Sequence, residues 1–316
     1  MSDLHKMEMR AVYAAVLNEL MDKNPDVMCL EADLGKASGT NPAVIAAHPK
    51  NHVNAGVAEA NMIGVGAGLA IEGKIPFCAS FSCFASRRVY DQIYLSVAYA
   101  NTNVKIVGTA TGITQGPNGG THMDFQDLAT MRVMPNLHVY SPCDVYELRA
   151  MMYHMAASKQ PVYMQLVRSQ VKKVFDENYV FDPERAVVLR TGTDVTLVST
   201  GYMTQFAVEV AEQLKAEGIS VELLHYGSVK PFDEGTLIRS AKKTGAVVTV
   251  ENQHIIGGLG GAVCEILSEV CPTKVKRLGI PDQFGEVATE QYLFDKHEFG
   301  PAHIAKACRE MAKAKK

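Results

Sequence analysis

Apolar positions along the chain follow two periods in turn. From Met9 to Met21, Val12, Ala15, Val16 and Leu20 fall on one helical face, and Asn24-Pro25 ends the run. Short apolar runs then recur at 27–30, 75–81, 104–107, 137–140 and 161–167. Each is too short for a typical helix and is separated from the next by a helix-like stretch, as at 88–99 and 144–157. That alternation predicts an α/β protein whose mainly parallel sheet is flanked by helices. Between about 173 and 187 the pattern lapses into VFDENYVFDPERA, interrupted by Pro183, which predicts a linker. A second α/β unit follows. It has a strand over 194–200, then a helix with Ala207, Val210, Ala211 and Leu214 on one face, with Gly218 as its stop. Further strands are predicted at 221–224 and 246–250, and the closing AKAKK reads as solvated.

At 316 residues and 47% hydrophobic, the chain can bury a large core and divide into two domains. A net charge of -3 gives no general electrostatic reason to bind nucleic acid or an anionic membrane. No apolar run approaches the roughly eighteen residues of a membrane helix, and the polar start MSDLHKMEMR does not read as a signal peptide. Seven cysteines occur without a CxxC pair or metal-ligand spacing, so a reduced, cytoplasmic thiol set is expected and no metal site is predicted on this chain.

The glycine clusters read mainly as structure. GVGAGLA, from Gly64 to Ala70, superficially resembles a dinucleotide fingerprint, but it lies inside an apolar helical stretch opened by Glu59, where small residues serve helix packing. GPNGGTH, from Gly116 to His122, lacks the Lys-Ser/Thr ending of a P-loop; it reads as a loop beyond a strand, where open α/β sheets place ligand sites. GGLGG, from Gly257 to Gly261, precedes a helix and reads as a packing or interface element. By pattern alone, Glu59 is a charge favoured at a helix N-terminus or a catalytic carboxylate. His122 is a loop residue or a chemical group, Arg87-Arg88 a solvated or ion-paired couple, and Phe81 and Phe84 core residues. The residues by themselves lead to a two-domain α/β protein with a loop-borne histidine.

Longer fragments carry a resemblance that covers nearly the whole chain. GVAEANMIGVGAGLAIEGKIPF, SFSCFASRRVYDQI, EADLGKASGT, GPNGGTHMDFQDLATMRVMPNLHVYSPCD and PVYMQLVRS are similar to the pyrimidine-binding domain of transketolases. LVSTG, GISVELLHYGSVKPFD and VENQHIIGGLGGAV are similar to that family's C-terminal domain. The resemblance implies domains at 1–174 and 188–316, joined by a linker at 175–187. It makes Glu59 the glutamate that hydrogen-bonds the aminopyrimidine of thiamine diphosphate and favours its imino tautomer, a proton-transfer task. Phe81 and Phe84 would hold the pyrimidine, with Leu34 and Val57 as apolar neighbours and Arg87 in place of a third ring that is often tyrosine. His122 would meet substrate oxygens and help move protons. Arg10 and Arg168 would hold a sugar phosphate, for which a planar guanidinium fork is suited.

Three positions depart from the family pattern. Asn118 stands for an aspartate that reads the acceptor hydroxyl, Ala110 for a second substrate-side histidine, and Ala37 for a phosphate-contacting serine. They fit a specialised branched or sulfonated sugar as well as an ordinary one. The GDG…N motif that grips the diphosphate and its Mg²⁺ does not occur in these 316 residues. The resemblance therefore implies a separate N-terminal-half subunit carrying that clamp and the Mg²⁺ ligands, in an α2β2 heterotetramer. The expected reaction is transfer of a two-carbon ketol unit from a ketose to an aldose, the substrates being small anionic sugars. The β subunit of a 2-oxo-acid dehydrogenase and deoxyxylulose-phosphate synthase are the alternative readings. The Thr121-His122 pair with Arg10 and Arg168 favours the sugar enzyme, and the presence of both Glu59 and His122 argues against a regulatory paralogue.

Overall fold

The computed structural model describes residues 8–40 and 42–314; the start MSDLHKM and the last two lysines of the tail lie outside them. The first half supplies β1 (Val27–Glu31), β2 (His52–Asn54), β3 (Ile75–Phe81), β4 (Lys105–Thr109), β5 (His138–Tyr140) and β6 (Val162–Leu166). The second supplies β7 (Val187–Arg190), β8 (Val195–Ser199), β9 (Val221–His225), β10 (Ser228–Lys230), β11 (Ala246–His254) and β12 (Lys274–Ile280). Two mainly parallel sheets result, ordered β10-β5-β6-β4-β3-β1-β2 and β12-β11-β8-β9-β7. β1, β4, β6, β8 and β9 are buried along their whole length, as the continuous apolar runs require of strands covered on both faces. Among the described residues no helix is long and apolar enough to cross a membrane.

One sheet is not built from one half alone. β10, from the second half, pairs antiparallel with β5 at the edge of the first sheet. Its three residues are too few for any period to mark them in the sequence. The stretch 88–99, read as one helix, is a 3₁₀ turn at Arg87–Val89, a short α-turn at Tyr90–Gln92 and a π-helix at Ile93–Tyr99. Val89, at φ -118° and ψ 22°, takes the chain out of helical geometry just before Tyr90.

The segment read as a polar linker is stapled down by its aromatics. Phe181 is buried with its ring centroid 5.0 Å from that of Tyr140, and Phe175 stacks on Tyr179 at 3.9 Å. Asp144 does two jobs here. One carboxylate oxygen caps the helix Val145–Ala157 by accepting from the Tyr146 and Glu147 amides, and the other accepts from the Val174 and Phe175 amides.

The glycines of GPNGGTH serve domain docking. A Cβ on Gly116 would lie 2.2 Å from the Ala288 carbonyl oxygen, and one on Gly120 would lie 2.3 Å from that of Gly285. In GGLGG, the buried Glu251 carboxylate accepts from the Leu259 and Gly260 amides at the start of the helix Leu259–Val270. A Cβ on Gly258 would sit 2.0 Å from that carboxylate. The GVGAGLA glycines divide: Gly66 lies against Cys78, whereas Gly64 and Gly68 face open space.

A buried charge pair joins the two halves. His225 on β9 donates from Nε2 to both Glu147 oxygens, at 2.8 and 2.9 Å. Its Nδ1 lies 2.8 Å from Thr204 Oγ1. Glu147 completes its shell with the Cys143 amide and the Tyr179 hydroxyl. Burial opposes ionisation of Glu147, but the charge and hydrogen bond of His225 outweigh it and hold this carboxyl below its usual range. Such a carboxylate stabilises the fold above its unfolded-state pKa, and the contribution is lost as pH falls through the lower folded value. Glu147→Ala, which leaves the buried His225 ring without its partner, is expected to lower stability by about 3–5 kcal/mol. Urea denaturation at neutral pH measures it; a loss under about 1 kcal/mol would mean that the pair contributes no more than an exposed one.

Candidate active site

The carboxyl ends of β1, β3 and β4 open at one edge of the seven-stranded sheet, the place where parallel sheets present ligand sites. Phe81 ends β3, and Phe84 follows in the turn Ser82–Ala85. Their ring centroids are 6.1 Å apart, and the His122 ring stands edge-on to both, at 6.2 Å from Phe81 and 5.6 Å from Phe84. Phe81 is buried beside Cys83 and Ala110, with Leu34, Ala37 and Phe84 packed half-buried against them. The result is an apolar, aromatic wall with an imidazole at its rim.

Glu59 opens the helix Glu59–Ile71 and is 4% exposed. Asn54 fixes the approach to it: its side-chain oxygen accepts from the Gly56 and Asp33 amides, tying the loop after β2 to the loop after β1. Arg88 donates to Glu59 Oε1 at 3.0 Å, and its guanidinium lies 3.9 Å from the Phe84 ring centroid. A buried carboxylate, a cation and an aromatic face are thus joined in one line.

The two neighbouring arginines part company at the 3₁₀ turn. Arg87 reaches the other way and donates to the Thr121 carbonyl at 3.0 Å, while the Thr121 hydroxyl lies 2.9 Å from His122 Nδ1. The side chain lying on an aromatic face beside Glu59 is Arg88, which by pattern alone reads as solvated or ion-paired. Ser86 and Asp124 escape the sequence as well. Ser86 donates to Asp124 Oδ2 at 2.5 Å, a second tie between the Phe84 turn and the His122 loop. Nothing in the local pattern marks Ser86, because its partner is set by a loop far away in sequence. Burial pushes the Asp124 carboxyl up against the opposing Ser86 hydrogen bond; burial and the charge of Asp124 raise Asp127. Burial, aided by Asp124, pushes the Cys83 thiol to about 12, so it is no thiolate nucleophile.

The remaining expected residues divide. Arg10 donates to the Ala37 carbonyl at 3.2 Å, beside Leu34, and is ion-paired with Glu8 at 2.6 Å. The Met9 amide donates to the Ser169 carbonyl, so the backbones next to Arg10 and Arg168 touch although they come from opposite ends of the first half. Asn118 is exposed on the glycine loop, and Val57 is 78% exposed. Ala110 is buried, with a left-handed φ of 60°. Among the described residues one group of three metal-ligating types occurs, Cys143 with Glu147 and His225 at the junction of the halves. Its carboxylate and imidazole are engaged with each other and the Cys143 thiol is pushed well up by burial, so it does not fit a bound cation.

Residues 5–173 match the transketolase pyrimidine-binding domain, and residues 184–304 match the transketolase C-terminal domain. The chain is 46% identical over 307 residues to a 6-deoxy-6-sulfo-D-fructose transketolase subunit of Clostridium sp. strain MSTE9, covering 97% of this chain and 95% of that one. It is 31% identical over 305 residues to an apulose-4-phosphate transketolase subunit of Phocaeicola vulgatus, covering 96% and 97%. A solved structure described as a split gene transketolase, an inactive beta4 tetramer, superposes with a TM-score of 0.91 at 41% identity, covering 98% of this chain and all of that one.

Proposed function

We propose that this chain, which belongs to the transketolase family, is the pyrimidine-binding subunit of a split enzyme that moves a two-carbon ketol unit from a ketose to an aldose. The family depends on thiamine diphosphate, whose chemistry when bound is reversible cleavage of a carbon–carbon bond beside a carbonyl. The observation that carries the reading is the buried Glu59 carboxylate, linked through Arg88 to the Phe84 face. An apolar wall with a carboxylate at its edge suits a flat aminopyrimidine: Phe81, Phe84 and Leu34 hold its faces, and Glu59 holds a proton at its ring nitrogen. His122, at the rim, moves protons at substrate oxygens. The proposed division is a pyrimidine-binding domain at 1–174 and a C-terminal domain at 188–316.

The partner is the second part of the proposal. Val57 and Tyr99 are 78% and 80% exposed, Leu95 and Ile71 are exposed too, and Gly64 and Gly68 face open space. An open apolar face beside the site suits an N-terminal-half subunit that brings the diphosphate clamp and the Mg²⁺ ligands, in an α2β2 arrangement. Among the described residues, no cluster of carboxylates around Glu59 is placed to hold that ion.

For substrates we propose small sugars with an anionic end, a phosphate or a sulfonate, held by Arg10 and Arg168. Clostridial and Phocaeicola relatives named for a sulfofructose and for apulose 4-phosphate support this breadth. The test combines this chain with an N-terminal-half subunit, supplies a panel of phosphorylated and sulfonated ketoses, and follows the shortened aldose. A charge-assisted hydrogen bond is worth about 1.5–3 kcal/mol, so Arg10→Ala or Arg168→Ala is expected to raise KM for an anionic sugar about ten- to hundredfold. Glycolaldehyde, uncharged and short, should be nearly indifferent. Equal damage to both would mean that the arginines are structural; decarboxylation of a 2-oxo acid in place of ketol transfer would favour the dehydrogenase reading.

A further inference from the structure

Glu59, Phe81, Phe84 and His122 all belong to the first half of the chain, yet the loop that carries His122 is held from the second half. That loop runs from Thr111, after β4, to Phe125, before the helix Asp127–Arg132. Its ends are tied to each other, the Gly112 amide donating to the Asp124 carbonyl at 3.1 Å. Loops closed in this way are compact, and their ends stay together. A shift of the chain at Gly112 is therefore carried to Asp124, and His122 lies two residues before it.

This neck sits on the end of β11. Asn252, 4% exposed, accepts from the Ile113 amide through Oδ1 at 3.1 Å, and its Nδ2 donates to the Thr111 carbonyl at 3.4 Å. One side-chain amide thus holds the residues on both sides of Gly112. A Cβ on Gly112 would lie 2.2 Å from Asn252 Nδ2, and its φ is 62°, so this close approach needs glycine. Ala110, just before the neck, keeps a left-handed φ of 60°, which a residue with a side chain holds only where its surroundings over-determine it. The neighbours of Asn252 add to the grip. Gln253 Nε2 donates to Thr111 Oγ1 at 2.6 Å, and the His254 amide donates to the Phe125 carbonyl at 2.7 Å.

We propose that Asn252 is a positioning residue for the reaction at the Glu59 site: it fixes the neck of the loop, and through it the place of the His122 ring at the rim of the aromatic wall. The proposal rests on the reading of His122 as the group that moves protons at substrate oxygens. Truncating Asn252 leaves the Ile113 amide and the Thr111 carbonyl without their partner and frees the neck to move. Misplacing a reacting group by about 1 Å can cost on the order of a hundredfold in rate.

Asn252→Ala in the assembled enzyme, alone and combined with His122→Ala, tests it. Alone, it should lower kcat for ketol transfer about ten- to hundredfold. Exchange of the thiazolium carbon proton, the task of Glu59, should stay as fast as before. In the His122→Ala background the same change should cost less than about twofold, since no imidazole is left to place. Exchange that slows together with turnover, or the full loss repeated in the His122→Ala background, would make Asn252 merely structural and overturn the proposal. Asn252→Asp, isosteric and still an acceptor for Ile113, repeats the comparison with the side-chain volume kept. If His122→Ala leaves turnover intact, the reading of the site fails and the proposal with it. Amide hydrogen–deuterium exchange of the full chain needs no turnover: Asn252→Ala should speed it over residues 112–124 and leave the other strands and helices of the first domain protected. Unchanged protection over 112–124 would overturn the proposal whatever the activity.

Discussion

Replacing Glu59 by alanine is expected to lower turnover of the assembled enzyme about a hundred- to ten-thousandfold, the span usual for a positioned acid–base group. Glu59 starts its helix, is buried, and faces no charged partner among the described residues other than Arg88. Arg88 is itself half-exposed, so its loss of a partner should cost little stability. The damage should fall on proton movement instead. Exchange of the thiazolium carbon proton for deuterium, followed in bound cofactor, should slow in parallel with turnover. Slow turnover with fast exchange would give Glu59 a different task. Arg88→Ala offers a graded comparison, since it removes the cation on the Phe84 face while leaving the carboxylate in place.

Much of the architecture is legible in the sequence because burial on both faces writes itself as a continuous apolar run. β3 occupies the predicted 75–81, and β1, β4, β6 and β8 fall within a residue or two of expectation. What escapes is structure fixed by partners remote along the chain. β10 is three residues long and exists because β5 leaves an open edge. β12 reads KVKRLGI, half polar, because an edge strand has a solvated side. VFDENYVFDPERA looks loose by its charges, yet its aromatic rings anchor it.

The site divides along the same line. Glu59, Phe81, Phe84 and His122 come forward through resemblance of ordered fragments, and the rings of the last three meet within about 6 Å, at 6.1, 6.2 and 5.6 Å. The Arg87-Arg88 pair shows the limit. Two identical side chains one residue apart are indistinguishable by type, and only the 3₁₀ turn decides that Arg88 lies on Phe84 while Arg87 reaches Thr121. Asp124 is hidden for the opposite reason: a buried carboxylate beyond a histidine has no pattern of its own until Ser86 is brought to it.

The central claim is that this chain holds half of an active site, and the largest expected effect is the contrast between the chain alone and the chain completed. The wall of Phe81, Phe84 and Leu34 offers apolar contact and Glu59 one carboxylate, whereas the diphosphate and metal ion of the proposed cofactor need a charged clamp that the described residues around Glu59 do not assemble. Thiamine diphosphate and Mg²⁺ added to the purified full chain, with a ketose donor and an aldehyde acceptor, should therefore give no ketol transfer. Adding an N-terminal-half transketolase subunit under the same conditions should restore turnover, rising with its concentration to a plateau near one equivalent. Turnover by the chain alone at the level of the reconstituted pair would contradict the account.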